Sequence, residues 1–272
     1  MSEPAAFSLT YRFRFPNGSV KEFLVQLDRQ NCSLISPKRE NYPNWTRLKF
    51  KQCRACPLNS AEHEHCPVAV NIIDIVEFFQ HSQSVEQAIV EVDTRQRVTK
   101  RGKTALFPAI SSLIGIHMVT SGCPILDKLR PMARFHLPFA DTEETVYRAL
   151  SMYALAQYFR HQKGEEVDWD FEGLKKIYRD INQLNLDFSK RLHNESISEA
   201  TTNAITSLDC KRNYIEKTIY GFEKQELKAG EKATYVMTFY LDPEMVNDPS
   251  VKNLEDVTMS YTFFSTDYYK QS

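Results

Sequence analysis

The chain has 272 residues, 42% hydrophobic and 25% charged, which suits one large folded domain or two smaller ones and excludes a disordered or fibrous protein. The formal net charge of −1 conceals an asymmetry, because residues 1–135 contain 18 basic and 12 acidic residues, whereas residues 136–272 contain 16 and 23. This division predicts two regions that face different partners.

The first part of the chain predicts an antiparallel β-meander. Apolar and polar residues alternate in "FSLTYRFRF" at 7–15, and the Asn17–Gly18 pair that follows is a hairpin signal, because both residues tolerate positive φ. "VKEFLVQLD" supplies the return strand, and residues 32–35 supply a short third strand. The alternation places five side chains on one face of the sheet: Phe7, Leu9, Tyr11, Phe13 and Phe15.

The middle of the chain is predicted to be mainly helical, with one strand over 87–98. Apolar spacing and capping signals predict helices over 67–81, 105–120, 124–134, 141–162, 171–192 and 198–214. Asp141 and Glu144 make a capping box at the start of the fourth helix, and Gly164 ends it. The apolar stretch at 105–119 is shorter than the roughly 20 residues needed to cross a bilayer, so no transmembrane segment is expected.

From about residue 219 the pattern returns to strands rich in Thr, Tyr, Phe and Val. The sequence therefore predicts an α+β fold in three parts, with a β-meander at 1–50, a helical region with a cysteine metal site at 51–218, and a β tail at 219–272. We expect the meander and the tail strands to pair in one β-unit. No secretory signal is visible at the N-terminus, so a soluble protein of the cytoplasm or another reducing compartment is expected.

Three cysteines in "QCRACPLNSAEHEHCPVAV" at 52–70 raise the question of a metal site. Cys53 and Cys56 form a C-x2-C knuckle, and Cys66 follows with His63 and His65 just before it. In a reducing compartment, six cysteines favour metal binding or free thiols over disulfides.

The recurrence of Cys-Pro singles out a fourth candidate ligand, Cys123. Cys66-Pro67 and Cys123-Pro124 each stand where a helix begins, so each cysteine takes the N-cap position before a proline. Free backbone N–H groups and the helix dipole at that position are expected to lower the pKa of the thiol. The predicted ligand set is therefore Cys53, Cys56, Cys66 and Cys123, with His63 and His65 in reserve.

Four thiolates suit a closed tetrahedral zinc site, which we favour, and they equally suit an iron–sulfur cluster. The third interpretation is that these cysteines are reduced, buried side chains at turns, since free cysteine is among the most buried residue types. Cys32 and Cys210 are interpreted as packing residues.

Residues 222–264 resemble the C-terminal end of the cytochrome c oxidase assembly copper chaperones, through "FEKQEL", "FYLDPEMVNDP" and "SYTFF". The resemblance implies an immunoglobulin-like sandwich and a role in oxidase assembly. In that family a Cys-Phe-Cys-Phe copper motif directly precedes this stretch, and its cysteines would fall at Ile219 and Gly221. Copper(I) requires soft sulfur ligands, so copper is not the expected cofactor. Residues 121–139 also resemble an uncharacterised bacterial protein family.

Two other regions are candidate sites. The basic residues at 93–103 could form a nucleic-acid-binding face, but no nucleic-acid-binding fold signature accompanies them, so a solvated hairpin or loop is favoured. Arg130, Arg134 and His136 either line a pocket or form a packed connector, which we favour, and His117 is interpreted as a core histidine.

These observations predict a non-enzymatic metal-binding protein with a four-cysteine structural site, an unidentified protein partner and a link to metallocofactor or cytochrome oxidase assembly. Two alternatives stay open. One is an iron–sulfur redox protein or enzyme that uses the same cysteines, and the other is a nucleic-acid-associated module with its basic face at 93–103.

Overall fold

The computed structural model describes residues 6–37, 39–94, 97–193, 200–205 and 208. The chain divides into two units, Met1–Gly221 and Phe222–Ser272, and the described residues all belong to the first. The predicted tail strands, their pairing with the N-terminal meander, and residues Cys210, Ile219 and Gly221 lie outside the described residues. The α+β class is confirmed.

A four-stranded antiparallel sheet forms one layer of the first unit, with strand order β2-β1-β3-β4. Its strands are β1 (Ala6–Arg14), β2 (Val20–Asp28), β3 (Gln87–Thr94) and β4 (Val98–Ala105). β1 and β2 make the predicted hairpin, whose turn holds Gly18 at φ +84°. The predicted strand at 32–35 is reduced to a single bridge between Leu27 and Leu34.

The alternation along β1 buries the predicted face of the sheet. Leu9, Tyr11 and Phe13 are buried, and Phe7 and Phe15 pack against the same core. The predicted strand at 87–98 is instead a hairpin of β3 and β4, and β4 is exposed along most of its length. This exposure agrees with the interpretation of 93–103 as a solvated hairpin.

Two short helices replace the single helix predicted over 67–81. They are α1 (Pro67–Asn71) and α2 (Ile73–Phe78), separated by Ile72 at φ −111° and ψ 6°. Phe79 is buried and its ring lies 5.2 Å from that of Phe13, whereas Phe78 is exposed. This pair of helices therefore packs on the buried face of the sheet.

Helix α3 (Leu106–Thr120) is the apolar helix that the sequence predicts, and it contacts β3, α1 and the 3-10 helix Leu126–Phe135. That 3-10 helix contains Pro131 and replaces the helix predicted over 124–134. α3 is buried on most of its circumference, which explains its uniformly apolar sequence.

Helices α4 (Thr142–Gln162) and α5 (Glu172–His193) match the predicted long helices. Both hydrogen bonds of the Asp141–Glu144 capping box are present, and Gly164 ends the helix region at φ +71°. Of the helix predicted over 198–214, residues 200–205 and 208 are helical. No helix in the described part of the chain is both long and apolar enough to span a membrane.

Candidate metal centre

The Cys53–Cys56 knuckle is a tight turn fixed to helix α5. The Cys56 N–H donates to the Cys53 carbonyl at 3.0 Å. Asp187 of α5 accepts from the backbone N–H of Arg54 and from its Nη2, each at 3.0 Å. Hydrogen bonds to both the backbone and the side chain of one residue set the position and the orientation of the knuckle.

One turn further along α5, the side chain of Arg191 is fully buried and holds the loop before the knuckle. Its Nη1 donates to the carbonyls of Trp45 and Arg47 at 2.9 and 2.8 Å, and its Nη2 to those of Leu48 and Lys51, both at 3.3 Å. A planar guanidinium can serve several acceptors at once, so it can organise a loop that has no regular backbone pairing.

Cys66 occupies the N-cap of α1, with extended backbone geometry and proline in the next position, as predicted. Its own N–H donates to the Thr46 carbonyl at 2.7 Å, which ties it to the loop that Arg191 organises. The backbone N–H groups of Val68 and Ala69 lie close enough to act on the pKa of its thiol, although no N-cap hydrogen bond of full geometry forms.

Cys123 lies in a turn of the chain after α3, directly after Gly122 at φ +84°. Its N–H donates to the Ser121 hydroxyl at 3.2 Å. The backbone N–H groups of Ile125 and Leu126 act to lower the pKa of its thiol, as those of Val68 and Ala69 do for Cys66. The N-cap prediction is therefore confirmed for Cys66 and wrong for Cys123, because the 3-10 helix that follows Cys123 begins at Leu126 with Ile125 at its N-cap.

The four predicted cysteines line one small cavity of about 10 Å³. Cys53, Cys66 and Cys123 are buried, and Cys56 is partly exposed. The rest of the wall is mainly apolar: Leu58, Pro67, Val68, Ile125, Leu184 and Phe188. The fold therefore brings together three chain segments that are up to 70 residues apart, as the choice of Cys123 required.

Burial dominates the protonation of these thiols. It raises the pKa of Cys53 to about 12 and that of Cys123 to about 11, and it also raises the pKa of Cys66. The positive charge of Arg191 acts in the opposite direction on Cys53 and Cys66 but is outweighed. The expectation of lowered thiol pKa values is thus wrong in its net direction, because desolvation exceeds the effect of the nearby N–H groups.

The reserve ligands lie away from this cavity. His63 is exposed, and His65 contacts Thr46 through Nδ1 at 2.9 Å and stacks near Tyr42. The described cysteines are all free thiols. As the side chains stand, the described residues contain no group of three or more histidine, cysteine or acidic side chains that is set to hold a metal ion.

Asp187 and Arg191 were missed from the sequence. They lie four residues apart inside the apolar stripe of α5, on either side of the buried Phe188. Charged residues that interrupt a buried stripe at helical spacing are the signal that would have identified them, because such groups are rarely buried unless they are paired.

The other weighed histidines have different environments. His117 is buried in α3 and its Nδ1 pairs with the Leu113 carbonyl at 2.9 Å, so the interpretation as a core histidine is confirmed. Arg130 contacts Ser33, and Arg134 contacts the Arg29 carbonyl, as in a packed connector. His136, in contrast, lines a second and much larger cavity.

The first unit is thus an α+β domain in which a cysteine-lined cavity lies where two Cys-Pro turns and a C-x2-C knuckle meet helix α5. Residues 9–229 match the family described as "Domain of unknown function (DUF6901)", and the chain belongs to that family. No solved structure matches the chain.

The chain is also similar to cytochrome c oxidase assembly proteins, which confirms the resemblance drawn from the sequence. It is 25% identical over 166 residues to "Cytochrome c oxidase assembly protein COX11, mitochondrial" of Saccharomyces cerevisiae, covering 60% of this chain and 51% of that protein. It is 30% identical over 105 residues to "Cytochrome c oxidase assembly protein CtaG" of Rhizobium johnstonii, covering 36% and 50%.

A shorter match, 45% identical over 47 residues, joins the chain to "Rsm22-cox11 tandem protein 2, mitochondrial" of Schizosaccharomyces pombe, covering 17% of this chain and 6% of that protein. The chain therefore spans about half the length, or less, of these curated relatives.

Proposed function

We propose that this chain is a non-enzymatic metal-binding protein in which Cys53, Cys56, Cys66 and Cys123 hold one structural zinc ion, and that it serves in the assembly of cytochrome c oxidase. The observation that carries the metal proposal is the convergence of these four cysteines, from three chain segments, on one cavity. Four thiolates are a complete ligand set for tetrahedral zinc.

The size and charge of the cavity support a single ion. A volume of about 10 Å³ accommodates one body the size of a water molecule. Four thiolates and a divalent cation leave a net negative charge, and the buried guanidinium of Arg191 supplies a nearby positive charge. An iron–sulfur cluster is the second candidate because the same four ligands suit it, but it requires the wall of the cavity to move outwards.

The structural role follows from the positions of the ligands. The segment from residue 47 to residue 66, which contains the knuckle, has no regular secondary structure, and a few hydrogen bonds join it to α5. An ion shared between the knuckle, the start of α1 and the turn at Cys123 would join these segments. Its binding free energy would then contribute directly to folding.

The assembly role is supported by the similarity to cytochrome c oxidase assembly proteins. The chain has Ile219 and Gly221 where the family's copper motif would place its cysteines, so we do not propose copper transfer through that motif. The proposed role is therefore in assembly of the oxidase with a protein partner.

Metal analysis and an absorption spectrum of anaerobically purified protein test the metal proposal. We expect one zinc ion per chain and no visible absorption, and we expect the variant Cys123→Ser to lose most of the zinc. Cys32→Ser is the matched control, because Cys32 is also a buried free thiol but does not line the cavity. Brown protein with iron and sulfide would establish the second candidate, and wild-type protein without metal would refute both.

Deletion of the gene in the source organism tests the assembly role. We expect lower cytochrome c oxidase activity in its membranes, restored by the wild-type gene and by Cys32→Ser but not by Cys123→Ser. Unchanged oxidase activity in the deletion strain would refute the assembly role.

A further inference from the structure

A second cavity, much larger than the cysteine-lined one, is lined by other residues of α5 and shares no wall residue with the cysteine site. It measures about 350 Å³, a volume within the range of small-molecule sites. Most of its wall is apolar, with contributions from α3, the 3-10 helix and α5: Pro108, Ile116, Met118, Leu126, Leu129 and Ile181. A cavity with such a wall favours an apolar occupant, because binding removes apolar surface from water.

A buried amide marks one part of this cavity. Asn185 lines it and is only 4% exposed, yet its Oδ1 has no hydrogen-bond partner. An unsatisfied buried polar group costs about 1–3 kcal/mol, so a side chain of this kind in a cavity wall points to a ligand that satisfies it.

A second polar group lies two turns away on the same face of α5. Tyr178 lines the cavity and is buried, and no hydrogen bond joins its hydroxyl to another described residue. The positions 178, 181 and 185 share one helix face, and the seven-residue separation corresponds to about 10 Å along the helix axis. The two polar groups are thus separated by an apolar stretch of wall that includes Ile181.

Arg148 of α4 brings a positive charge to the Tyr178 end. Burial raises the pKa of Tyr178, and the charge of Arg148 acts to lower it. The Nη2 of Arg148 donates to the carbonyls of Met132 and Phe135 at 2.8 and 2.9 Å. Within the described ranges, no carboxylate lies at ion-pair distance from Arg148. The acidic residue in the wall, Asp141, already accepts a hydrogen bond from the Glu144 backbone in the capping box.

We propose that this cavity binds an elongated apolar acid, with its carboxylate at Arg148 and Tyr178 and a hydroxyl at its far end donating to Asn185. The carboxylate compensates the charge of a half-buried arginine on which Glu144 acts only from beyond ion-pair distance. The apolar body of the ligand lies in the cavity and packs against Ile181. The hydroxyl satisfies the orphaned amide oxygen, which an unsubstituted fatty acid would leave unpaired.

Calorimetric titration of the full-length protein with three matched probes tests this proposal: octanoate, ω-hydroxyoctanoate and octanol. A charge-assisted hydrogen bond contributes enough that octanoate should bind about tenfold more tightly than octanol. One additional neutral hydrogen bond should make ω-hydroxyoctanoate bind about fivefold more tightly than octanoate.

Two variants separate the polar contacts. Arg148→Met should remove the preference for octanoate over octanol, whereas Arg160→Met, a control on the exposed face of the same helix, should leave it unchanged. Asn185→Leu should remove the preference for ω-hydroxyoctanoate, and in the absence of probe it should raise the unfolding midpoint because it removes the unsatisfied amide.

If Arg148→Met does not fold, Asn185→Leu still tests the proposal. This variant should unfold at a higher midpoint than the wild type and should lose the preference for ω-hydroxyoctanoate over octanoate. Equal affinity for the three probes, or no binding at millimolar concentration, would overturn the proposal. The zinc content of every variant should equal that of the wild type, so failure here is distinguishable from failure of the metal site.

Discussion

Replacement of Arg191 by methionine should weaken the domain more than any surface change on α5. The arginine is fully buried and donates to four backbone carbonyls of the loop at 45–51. Methionine has a similar length and no donor, so the substitution removes these hydrogen bonds while it keeps most of the apolar contact with the ring of Phe188.

The magnitude follows from the bond lengths. Two of the four hydrogen bonds are short, at 2.9 and 2.8 Å, and hydrogen bonds from charged donors contribute about 1.5–3 kcal/mol each, so this pair contributes about 3–6 kcal/mol. Methionine recovers about 1–2 kcal/mol because no charge has to be buried and an apolar side chain takes its place. We therefore expect the free energy of unfolding to fall by about 3 kcal/mol.

Urea unfolding followed by the fluorescence of Trp45 measures this loss. Trp45 is buried and its carbonyl accepts from Arg191, and the other tryptophan, Trp169, is replaced by phenylalanine so that one probe remains. With a denaturant slope of about 3 kcal/mol per molar urea, the midpoint should fall by about 1 M.

Arg179→Met is the matched control, since this arginine is exposed on the same helix. Its midpoint should stay within about 0.2 M of the wild type, because surface substitutions usually change stability by less than 0.5 kcal/mol. If Arg191→Met and Arg179→Met unfold at the same urea concentration, the buried guanidinium does not hold the loop and the reasoning is wrong.

Three further outcomes are expected. Burial acts to raise the pKa of Asp187, but the hydrogen bonds of Asp187 with Arg54 outweigh burial and lower the pKa. The ionised carboxylate therefore stabilises the fold above about pH 4, and this contribution is lost as the pH falls further. Asp187→Asn should flatten the acid limb of a curve of unfolding free energy against pH. Because burial raises the thiol pKa values, zinc binding to metal-free protein should release protons from Cys53 and Cys123, which titrations in buffers of different ionisation enthalpy detect; no buffer dependence would contradict this. Asp141→Ala should lower the free energy of unfolding by about 1 kcal/mol through loss of the α4 cap, measured by thermal unfolding, and an unchanged midpoint would show that the cap is dispensable.

Local chemistry made much of the fold predictable. The β1–β2 hairpin followed from alternation and Asn17–Gly18, and the limits of α4 followed from its capping box and Gly164. These signals act over a few residues, so the sequence contains them completely. The break at Ile72 was missed because it depends on packing against distant elements, and the strand predicted over 87–98 ends at Thr94 as β3.

Part of the candidate site was predictable because the same Cys-Pro pair occurs at two of its ligands, Cys66 and Cys123. The second Cys-Pro pair identified Cys123 as a partner for the knuckle, and the fold brings it to the same cavity. The sign of the thiol pKa shift was not predictable, because desolvation depends on the apolar wall that α5 and the turn at Ile125 supply. The partners of Asp187 and Arg191 were not predictable either, since they lie more than 130 residues away in the chain.

The distance along the chain between the knuckle and its anchor has a consequence for synthesis. Arg54 and Asp187 are 133 residues apart, so at about 5–20 residues per second the knuckle leaves the ribosome roughly 7 to 27 seconds before this part of α5 follows. During that interval the thiols of the knuckle are unshielded and can react with oxidants or take any thiophilic metal that is present. For the proposed metal site, a metal that the nascent loop meets first can therefore occupy the knuckle before α5 covers it.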